Sequence, residues 1–258
     1  MGILNATPDS FSDGGLFMDC DSALRHSEEM VAAGAEIVDV GGESTRPGAE
    51  PVSEAQELDR VIPIIEALRG GVEAVISVDT SKPAVMSAAV AAGAGMINDV
   101  YALQQPGALH AAAATGVPVC LMHMQGEPRS MQDQPSYVDV VAEVAEFLRQ
   151  RKEACLAAGL SEKNLIFDPG FGFGKTMDHN IALLKQLDRL LDLGGPVLVG
   201  LSRKSLLGQL LDLPVNRRAV ASATLALTAV QQGARVVRVH DVAVTHDVIR
   251  TWEAVQAA

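Results

Sequence analysis

Short apolar runs recur along the whole chain and alternate with longer segments of helical composition. Most of these runs are continuous rather than alternating, which is typical of strands buried on both faces of a parallel sheet. We predict eight strands, at residues 2–5, 36–40, 74–78, 96–98, 118–122, 165–167, 196–200 and 236–239.

The segments between these runs predict helices at residues 21–33, 53–69, 83–92, 108–115, 137–158, 179–191, 215–232 and 242–256. Ser53 followed by Gln56 suits a capping box, and Pro83 suits the first turn of a helix. A glycine, which tolerates left-handed backbone angles, ends the helical segment before each new strand. It occurs at seven joints, namely Gly34, Gly70 or Gly71, Gly93, Gly116, Gly159, Gly194 or Gly195, and Gly233.

This alternation predicts an α/β fold, a closed (β/α)₈ TIM barrel formed as a single domain by residues 1–258. The alternative is an open Rossmann-like sheet. It is less favoured because no GxGxxG follows the first strand, and a doubly wound sheet usually needs fewer units. In a barrel of this kind the active site lies at the carboxyl ends of the strands. The long loop at 125–136 is expected to fold over a ligand there.

Composition narrows the classes of function. The net charge of −12 disfavours nucleic acid as a partner, since binding to phosphates needs clustered Lys and Arg. The chain has three cysteines, an odd number, at Cys20, Cys120 and Cys155, and no CxxC pair. We therefore expect neither disulfides nor a zinc site, and we expect the protein in the reducing cytoplasm. Cys120 is expected to pack in the core. No apolar run approaches the roughly 20 residues that span a bilayer, so no membrane partner is expected.

Polar or chemically distinctive residues close nearly every predicted strand. Any single one could simply cap a helix or satisfy a loop backbone. Their occurrence around the whole barrel favours a shared site in its mouth. They are Asn5, Asp39, Asp79, Asn98 with Asp99, Met122 with His123, Asp168, Ser202 to Lys204, and Arg238 with His240.

Two other sequence features do not indicate a phosphate-binding or metal-binding site. Residues 169–176 superficially resemble a phosphate-cradling P-loop, but Pro169 stands where GxxxxGK[ST] requires glycine, so we interpret them as a flexible loop over a site. The six histidines show no HxxxH or similar ligand spacing, which disfavours a metal centre built by the protein.

The first fifteen residues, MGILNATPDSFSDGG, closely resemble the opening signature of the dihydropteroate synthases, a family of pterin-binding TIM barrels. The resemblance covers essentially the whole chain. Ala6 departs from it, where the family usually has a larger aliphatic residue, and the chain starts directly at the first strand. Further motifs are DVGGESTRPG (39–48), ISVDTSKP (76–83), IND (97–99), LMHM (121–124), DPGFGFG (168–174), SRKS (202–205) and RVHD (238–241).

The resemblance implies a transferase of folate biosynthesis. It would condense 6-hydroxymethyl-7,8-dihydropterin pyrophosphate with p-aminobenzoate to give 7,8-dihydropteroate and pyrophosphate. It further implies Mg²⁺ as cofactor, with Asn5 as its side-chain contact, sulfonamides as inhibitors, and a homodimer. A pterin-binding methyltransferase and a catalytically silent pterin-binding paralogue are the alternatives.

The same resemblance implies roles for individual residues, and the residue types suit them. A carboxylate can accept two parallel N–H groups of a pterin, and cations suit an anionic leaving group. The catalytic residues would be Asp79, Lys204, Arg238 and His240. The pterin site would comprise Asp79, Asn98, Met122, Asp168, Phe173 and Lys204. The pyrophosphate site would comprise Asn5, Thr45, Arg238 and His240. The p-aminobenzoate site would comprise Phe11, Thr45, Arg46, Pro47, Phe173 and Ser202.

Overall fold

Parallel strands alternate with helices along the chain in the computed structural model, which describes residues 1–6, 20–44, 51–128 and 130–258. The eight strands are β1 Gly2–Asn5, β2 Ile37–Gly41, β3 Val75–Asp79, β4 Met96–Asp99, β5 Val119–Met122, β6 Leu165–Asp168, β7 Leu198–Val199 and β8 Val236–Val237. The α-helices of the described residues are α1 Cys20–Ala32, α2 Glu54–Arg69, α3 Pro83–Ala92, α4 Ala108–Thr115, α5 Val140–Ala157, α6 Met177–Lys185, α7 Ser205–Leu211, α8 Ala219–Gln231 and α9 Val242–Ala257.

Two groups of strands form the barrel. Strands β1 to β6 pair in sequence order as one parallel sheet, and β7 pairs with β8. Single bridges join the groups, Phe167 with Val197 between β6 and β7, and Gly2 with Val239 between β8 and β1. At the second bridge the Ile3 N–H donates to the Val239 carbonyl at 3.1 Å. The ring of strands is therefore closed, which confirms the predicted (β/α)₈ barrel.

The predicted helix ends follow local chemistry. Ser53 and Gln56 form the expected capping box at α2, and Pro83 occupies the first turn of α3. Six of the seven joints carry a glycine with positive φ, whereas Gly70 ends α2 at φ −108°. The α2 joint therefore closes without a left-handed residue.

Three helical predictions were wrong in their bounds, and one helix was not predicted. Helix α7 was not predicted, because its seven residues are too short for a helical period to stand out. The segment predicted at 215–232 is a 3₁₀ turn at Val215–Arg217 followed by α8, and that at 179–191 is α6 followed by a 3₁₀ turn at Leu187–Leu193. Helix α5 begins later than predicted, where the Asp139 side chain accepts from the N–H groups of Val141 and Ala142.

The barrel interior has an apolar floor. Met96, Cys120 and Leu198 are buried there as a cluster separate from the core between strands and helices. Met1, Ile37, Ile166 and Val236 pack against them. Successive side chains alternate across a strand, so the residues two positions further along face the same interior, nearer the mouth. The prediction that Cys120 packs in the core is confirmed.

Within the described residues, no helix is long and apolar enough to cross a membrane.

Candidate active site

Four of the interior positions directly above the floor carry polar residues predicted from the strand ends. Ile37 is followed two positions later by Asp39, Met96 by Asn98, Ile166 by Asp168 and Val236 by Arg238. The two-residue period of a strand thus places a charged layer on top of an apolar one.

Arg238 ties the first half of this layer together. Its Nε donates to Asp39 Oδ2 at 2.6 Å, and an Nη donates to Asp79 Oδ2 at 2.9 Å. The Asn98 side-chain amide also donates to Asp39 Oδ2, at 3.1 Å. One cation at the end of β8 therefore holds two carboxylates, from β2 and β3, and through Asp39 it also fixes an amide from β4.

Burial dominates the electrostatics of this cluster. It raises the pKa of Asp79 to about 7, with the neighbouring Asp39 carboxylate adding to the rise and Arg238 opposing it. The two carboxylates raise the pKa of Arg238 against the effect of burial, so the guanidinium remains charged. Asp79 can thus change protonation near neutral pH while Arg238 cannot.

Asp39 had no site role in the sequence analysis, although it was noted as a strand-end residue. It is fully buried and accepts from both Arg238 and Asn98. The signal was a carboxylate inside the apolar run of β2, since a buried carboxylate needs a partner. The sequence contained that signal but did not reveal the partner, which lies 199 residues away.

Asp168 and Lys204 form the other side of the layer. Asp168 Oδ1 accepts the Gly170 N–H at 2.7 Å. Burial raises the pKa of Asp168, and the Lys204 ammonium is the strongest opposing influence. Burial likewise lowers the pKa of Lys204 to about 8, opposed by Asp168. Asp168 and Lys204 therefore each help to keep the other charged although both are buried.

Lys204 also contacts the loop that follows β6. Its ammonium donates to the Phe171 carbonyl and lies 4.5 Å from the centre of the Phe173 ring. Met122, which lies beside Asp168 in the β5–β6 register, is buried next to this loop. The structure therefore brings together the four residues predicted for this part of the pterin site, Met122, Asp168, Phe173 and Lys204.

Ser202 and His240 lie in contact, although they were assigned to different substrates. The His240 backbone N–H donates to Ser202 Oγ at 3.1 Å, and His240 Nδ1 lies 3.0 Å from the same oxygen. With its oxygen accepting from the backbone, the hydroxyl can donate to Nδ1, which leaves the ring proton on Nε2 as a donor.

Asn5 lies on the same register level as Asp79, separated from it by Gly41. A Cβ at Gly41 would lie 3.5 Å from the Asp79 Cβ, so the glycine leaves space beside the carboxylate. In the described ranges there is no group of three or more His, Cys, Asp or Glu side chains that could hold a metal ion.

A further ionic group lies beside the layer. The Lys82 ammonium donates to Glu43 and to the buried Glu57. A cleft of about 510 Å³ is lined by these three residues and by Asp79. The predicted residues Phe11, Thr45, Arg46 and Pro47 lie outside the described part of the chain.

The glycine-rich segment after β6 is not a phosphate cradle. In a P-loop the lysine reaches the phosphates, whereas Lys175 is buried under its own loop and only 3% exposed. Side chains also donate to the five consecutive carbonyls from Gly170 to Gly174. These bonds fix the loop, in contrast to the flexible loop that the sequence predicts.

Comparison with known proteins decides among the families that could use such a site. The family model described as pterin binding enzyme matches residues 1–240. The Haemophilus influenzae dihydropteroate synthase is 54% identical over 98% of this chain and 92% of its own length.

The chain belongs to the dihydropteroate synthases.

Solved structures of dihydropteroate synthases agree over the full length. The Yersinia pestis enzyme in complex with a sulfonamide drug superposes with a TM-score of 0.95 at 52% identity, covering 100% of this chain and 94% of that one. The Xanthomonas albilineans enzyme in complex with 7,8-dihydropteroate gives a TM-score of 0.91 at 50% identity, covering 100% and 93%. Both confirm the family that the sequence motifs indicated, and with it a dihydropteroate synthase rather than a pterin-binding methyltransferase.

Gly170 provides a test of how tightly the loop is seated. Gly170 and Gly116 have nearly equal φ angles, 67° and 69°. A Cβ at Gly170 would lie 1.9 Å from the His123 carbonyl oxygen, whereas nothing lies within 4 Å at Gly116. We expect Gly116→Ala to lower the free energy of unfolding by about 1–2 kcal/mol, from backbone strain alone. Gly170→Ala should lower it by roughly 1–3 kcal/mol more, from the clash.

Urea unfolding of both variants measures the difference. Equal losses would contradict the close packing of the loop against the end of β5.

Proposed function

We propose that this chain condenses 6-hydroxymethyl-7,8-dihydropterin pyrophosphate with p-aminobenzoate, using the polar layer of the barrel mouth. The observation that carries the proposal is that two cations face three carboxylates in that layer. Arg238 donates to Asp39 and Asp79, and the Lys204 ammonium lies near enough to Asp168 to lower the pKa of that carboxyl. A pterin has donors and acceptors on opposite edges, and such a layer can recognise both.

The pterin is bound between the two halves of the layer. Asp168 accepts a ring N–H and the exocyclic amine, since its Oδ1 is already oriented by the Gly170 N–H. Asn98 lies on the opposite half and supplies an amide donor and acceptor. Lys204 donates to the pterin carbonyl or a ring nitrogen, with its ammonium over the Phe173 ring.

The bond that breaks joins the exocyclic methylene carbon of the pterin to the diphosphate oxygen, which takes the electron pair. Positive charge then develops over the pterin ring, and an ionised Asp79 stabilises it more strongly in the transition state than in the ground state. The lone pair of the arylamine forms the new C–N bond, and the amine proton passes to solvent or diphosphate. The amine is neutral at pH 7, so this step needs no strong base.

The departing diphosphate is bound on the side of β8 and β1. His240 offers its Nε2–H there, and the Arg238 guanidinium adds positive charge. We propose that the p-aminobenzoate carboxylate lies near Ser202, which contacts His240, and therefore close to the diphosphate site.

Mg²⁺ fits this arrangement, because it takes oxygen ligands from phosphates and retains water, and so needs few protein ligands. Asn5 would contribute its side-chain carbonyl, with the space above Gly41 beside it. When bound, the ion would neutralise charge on the leaving diphosphate.

Asp168→Asn is expected to weaken binding of a bare pterin at least about tenfold, because charge-assisted hydrogen bonds contribute roughly 1.5–3 kcal/mol each. Asp188→Asn makes the same chemical change at an exposed position and serves as the control. Isothermal titration calorimetry compares the two. Equal affinities for the two variants would remove Asp168 from the pterin site.

His240→Ala should weaken a pterin that carries a diphosphate more than a bare pterin, because its proposed partner is the leaving group. Arg238→Ala should weaken both, since Arg238 also positions Asp79. Competition binding with the two ligand types reads out the ratio. A loss for His240→Ala that is the same with both ligands would contradict the diphosphate assignment.

Sulfonamides are expected to inhibit competitively with p-aminobenzoate, because they share its arylamine and place a sulfonyl group near the position of its carboxylate. The Yersinia pestis relative binds such a drug. Rejecting the larger ligand would require a built-in clash, since shared contacts cannot discriminate between the two. Steady-state kinetics at varied p-aminobenzoate are the measurement. Inhibition that excess p-aminobenzoate cannot relieve would place the drug elsewhere.

A further inference from the structure

Lys175 lies beneath the loop between β6 and α6, away from solvent. Its Nζ is 2.8 Å from His123 Nδ1, 2.9 Å from the Gly170 carbonyl and 3.0 Å from the Phe173 carbonyl. The His123 carbonyl is more distant, at 3.4 Å. An ammonium has three N–H groups and a neutral amine has two, so the three close acceptors match the charged form.

His123 is suited to accept from this lysine. Burial, reinforced by the charge of Lys175, lowers the pKa of His123 to about 3, so the imidazole is neutral. Its Nδ1 then accepts from Lys175 when the ring proton is on Nε2. The rings of Phe147 and Tyr137 pack against His123 at centroid distances of 4.9 and 6.1 Å and exclude water from this side.

The contacts of Lys175 set the shape of the loop over the pterin site. It binds the carbonyls of Gly170 and Phe173, while Lys204 binds the intervening carbonyl of Phe171. The loop then presents the Gly170 N–H to Asp168 and the Phe173 ring to Lys204. Lys175 therefore lies behind the two loop groups that adjoin Asp168 and Lys204.

Lys175 also acts on the charge of Asp168. The groups that hold down the pKa of this buried carboxyl are Lys204, the Gly170 N–H, Lys175 and Arg238, against the upward effect of burial. Burial lowers the pKa of Lys175 well below its usual value, the Asp168 carboxylate opposes this, and Lys204 lowers the pKa further. Its three acceptors replace the hydration that burial removes, which favours the charged form.

We propose that Lys175 is a positioning residue of the pterin site, which fixes the loop behind Phe173 and keeps the Asp168 carboxylate ionised for the substrate. The inference deepens the proposed function and rests on it for the identity of the ligand. Its electrostatic part concerns the protein without ligand and can be measured independently.

The direct test is the titration of Asp168 by ¹³C NMR in protein with labelled aspartate, assigned with Asp168→Asn. Removing a cation raises a carboxyl pKa, so Lys175→Met should move the Asp168 midpoint up by about one pH unit or more. Lys175→Arg retains the charge and should leave the midpoint near that of the wild type. Tyr137→Phe removes the donor to the Gly174 carbonyl without changing any charge, and should also leave it in place.

An unchanged midpoint in Lys175→Met would overturn the proposal. If that variant does not fold, the ¹⁵Nζ shift of Lys175 in the wild type decides the matter, because ammonium and amine nitrogens resonate differently. A neutral amine at pH 7 would equally overturn it.

The functional test is the affinity for a bare pterin at two pH values. As the pH falls, a carboxylate becomes protonated near its pKa, and a raised pKa brings this protonation closer to neutral pH. Lys175→Met should therefore lose more affinity at about pH 6 than at about pH 8. Tyr137→Phe, which only loosens the loop, should lose a similar factor at both. Parallel losses in both variants would assign Lys175 a purely structural role.

Turnover of both substrates by the wild-type enzyme is measured first. Absence of turnover would contradict the proposed function, whereas the NMR midpoint would still decide the role of Lys175.

Discussion

The structure depends on the burial of two carboxylates beside one guanidinium. Asp39 and Asp79 come from adjacent strands, and Arg238 comes from the last strand, on the far side of the point where the barrel closes. Two buried carboxylates without a cation would repel each other and take up protons. The guanidinium can bind both because its donors diverge in one plane, which a lysine could not match with the same geometry. A polar mouth on an apolar floor is therefore possible only when β8 has completed the ring.

This constraint explains how much of the fold the sequence could predict. Strand positions, glycine joints and the polar layer follow from local periods, and the structure has them near the predicted places. The floor is also visible in sequence, since Met96 precedes Asn98, and Ile166 precedes Asp168, by one strand period. What local pattern cannot predict is a pairing between distant residues. Asp39 binding Arg238, and Ser202 binding His240, exist only in the closed barrel. Helix α7 was missed for a different reason, its shortness.

The glycine-rich loop shows the same limit for a motif. Its letters suggest a phosphate cradle, and spacing alone argues against one. The structure adds the physical reason, because Lys175 is directed under the loop rather than over it and binds the carbonyls of its own segment. Glycine is required here for close approach, as at Gly170 against His123, and not to expose backbone N–H groups to an anion. The role of a lysine in such a segment therefore depends on which acceptors its ammonium binds.

The division of the strands into groups of six and two has a consequence for how the barrel holds together. The larger sheet carries the carboxylates Asp39, Asp79 and Asp168, while the β7–β8 pair and the segments after it carry Lys204 and Arg238. Each junction between the two groups, which has a single bridge, is thus crossed by attraction between opposite charges. The β7–β8 pair is therefore held in the barrel in part by side chains for which we propose roles in the chemistry. Acid would protonate Asp79 and Asp168 early, because burial already raises their pKa values, so the attraction across both seams would weaken while the two carboxyl groups became less costly to bury.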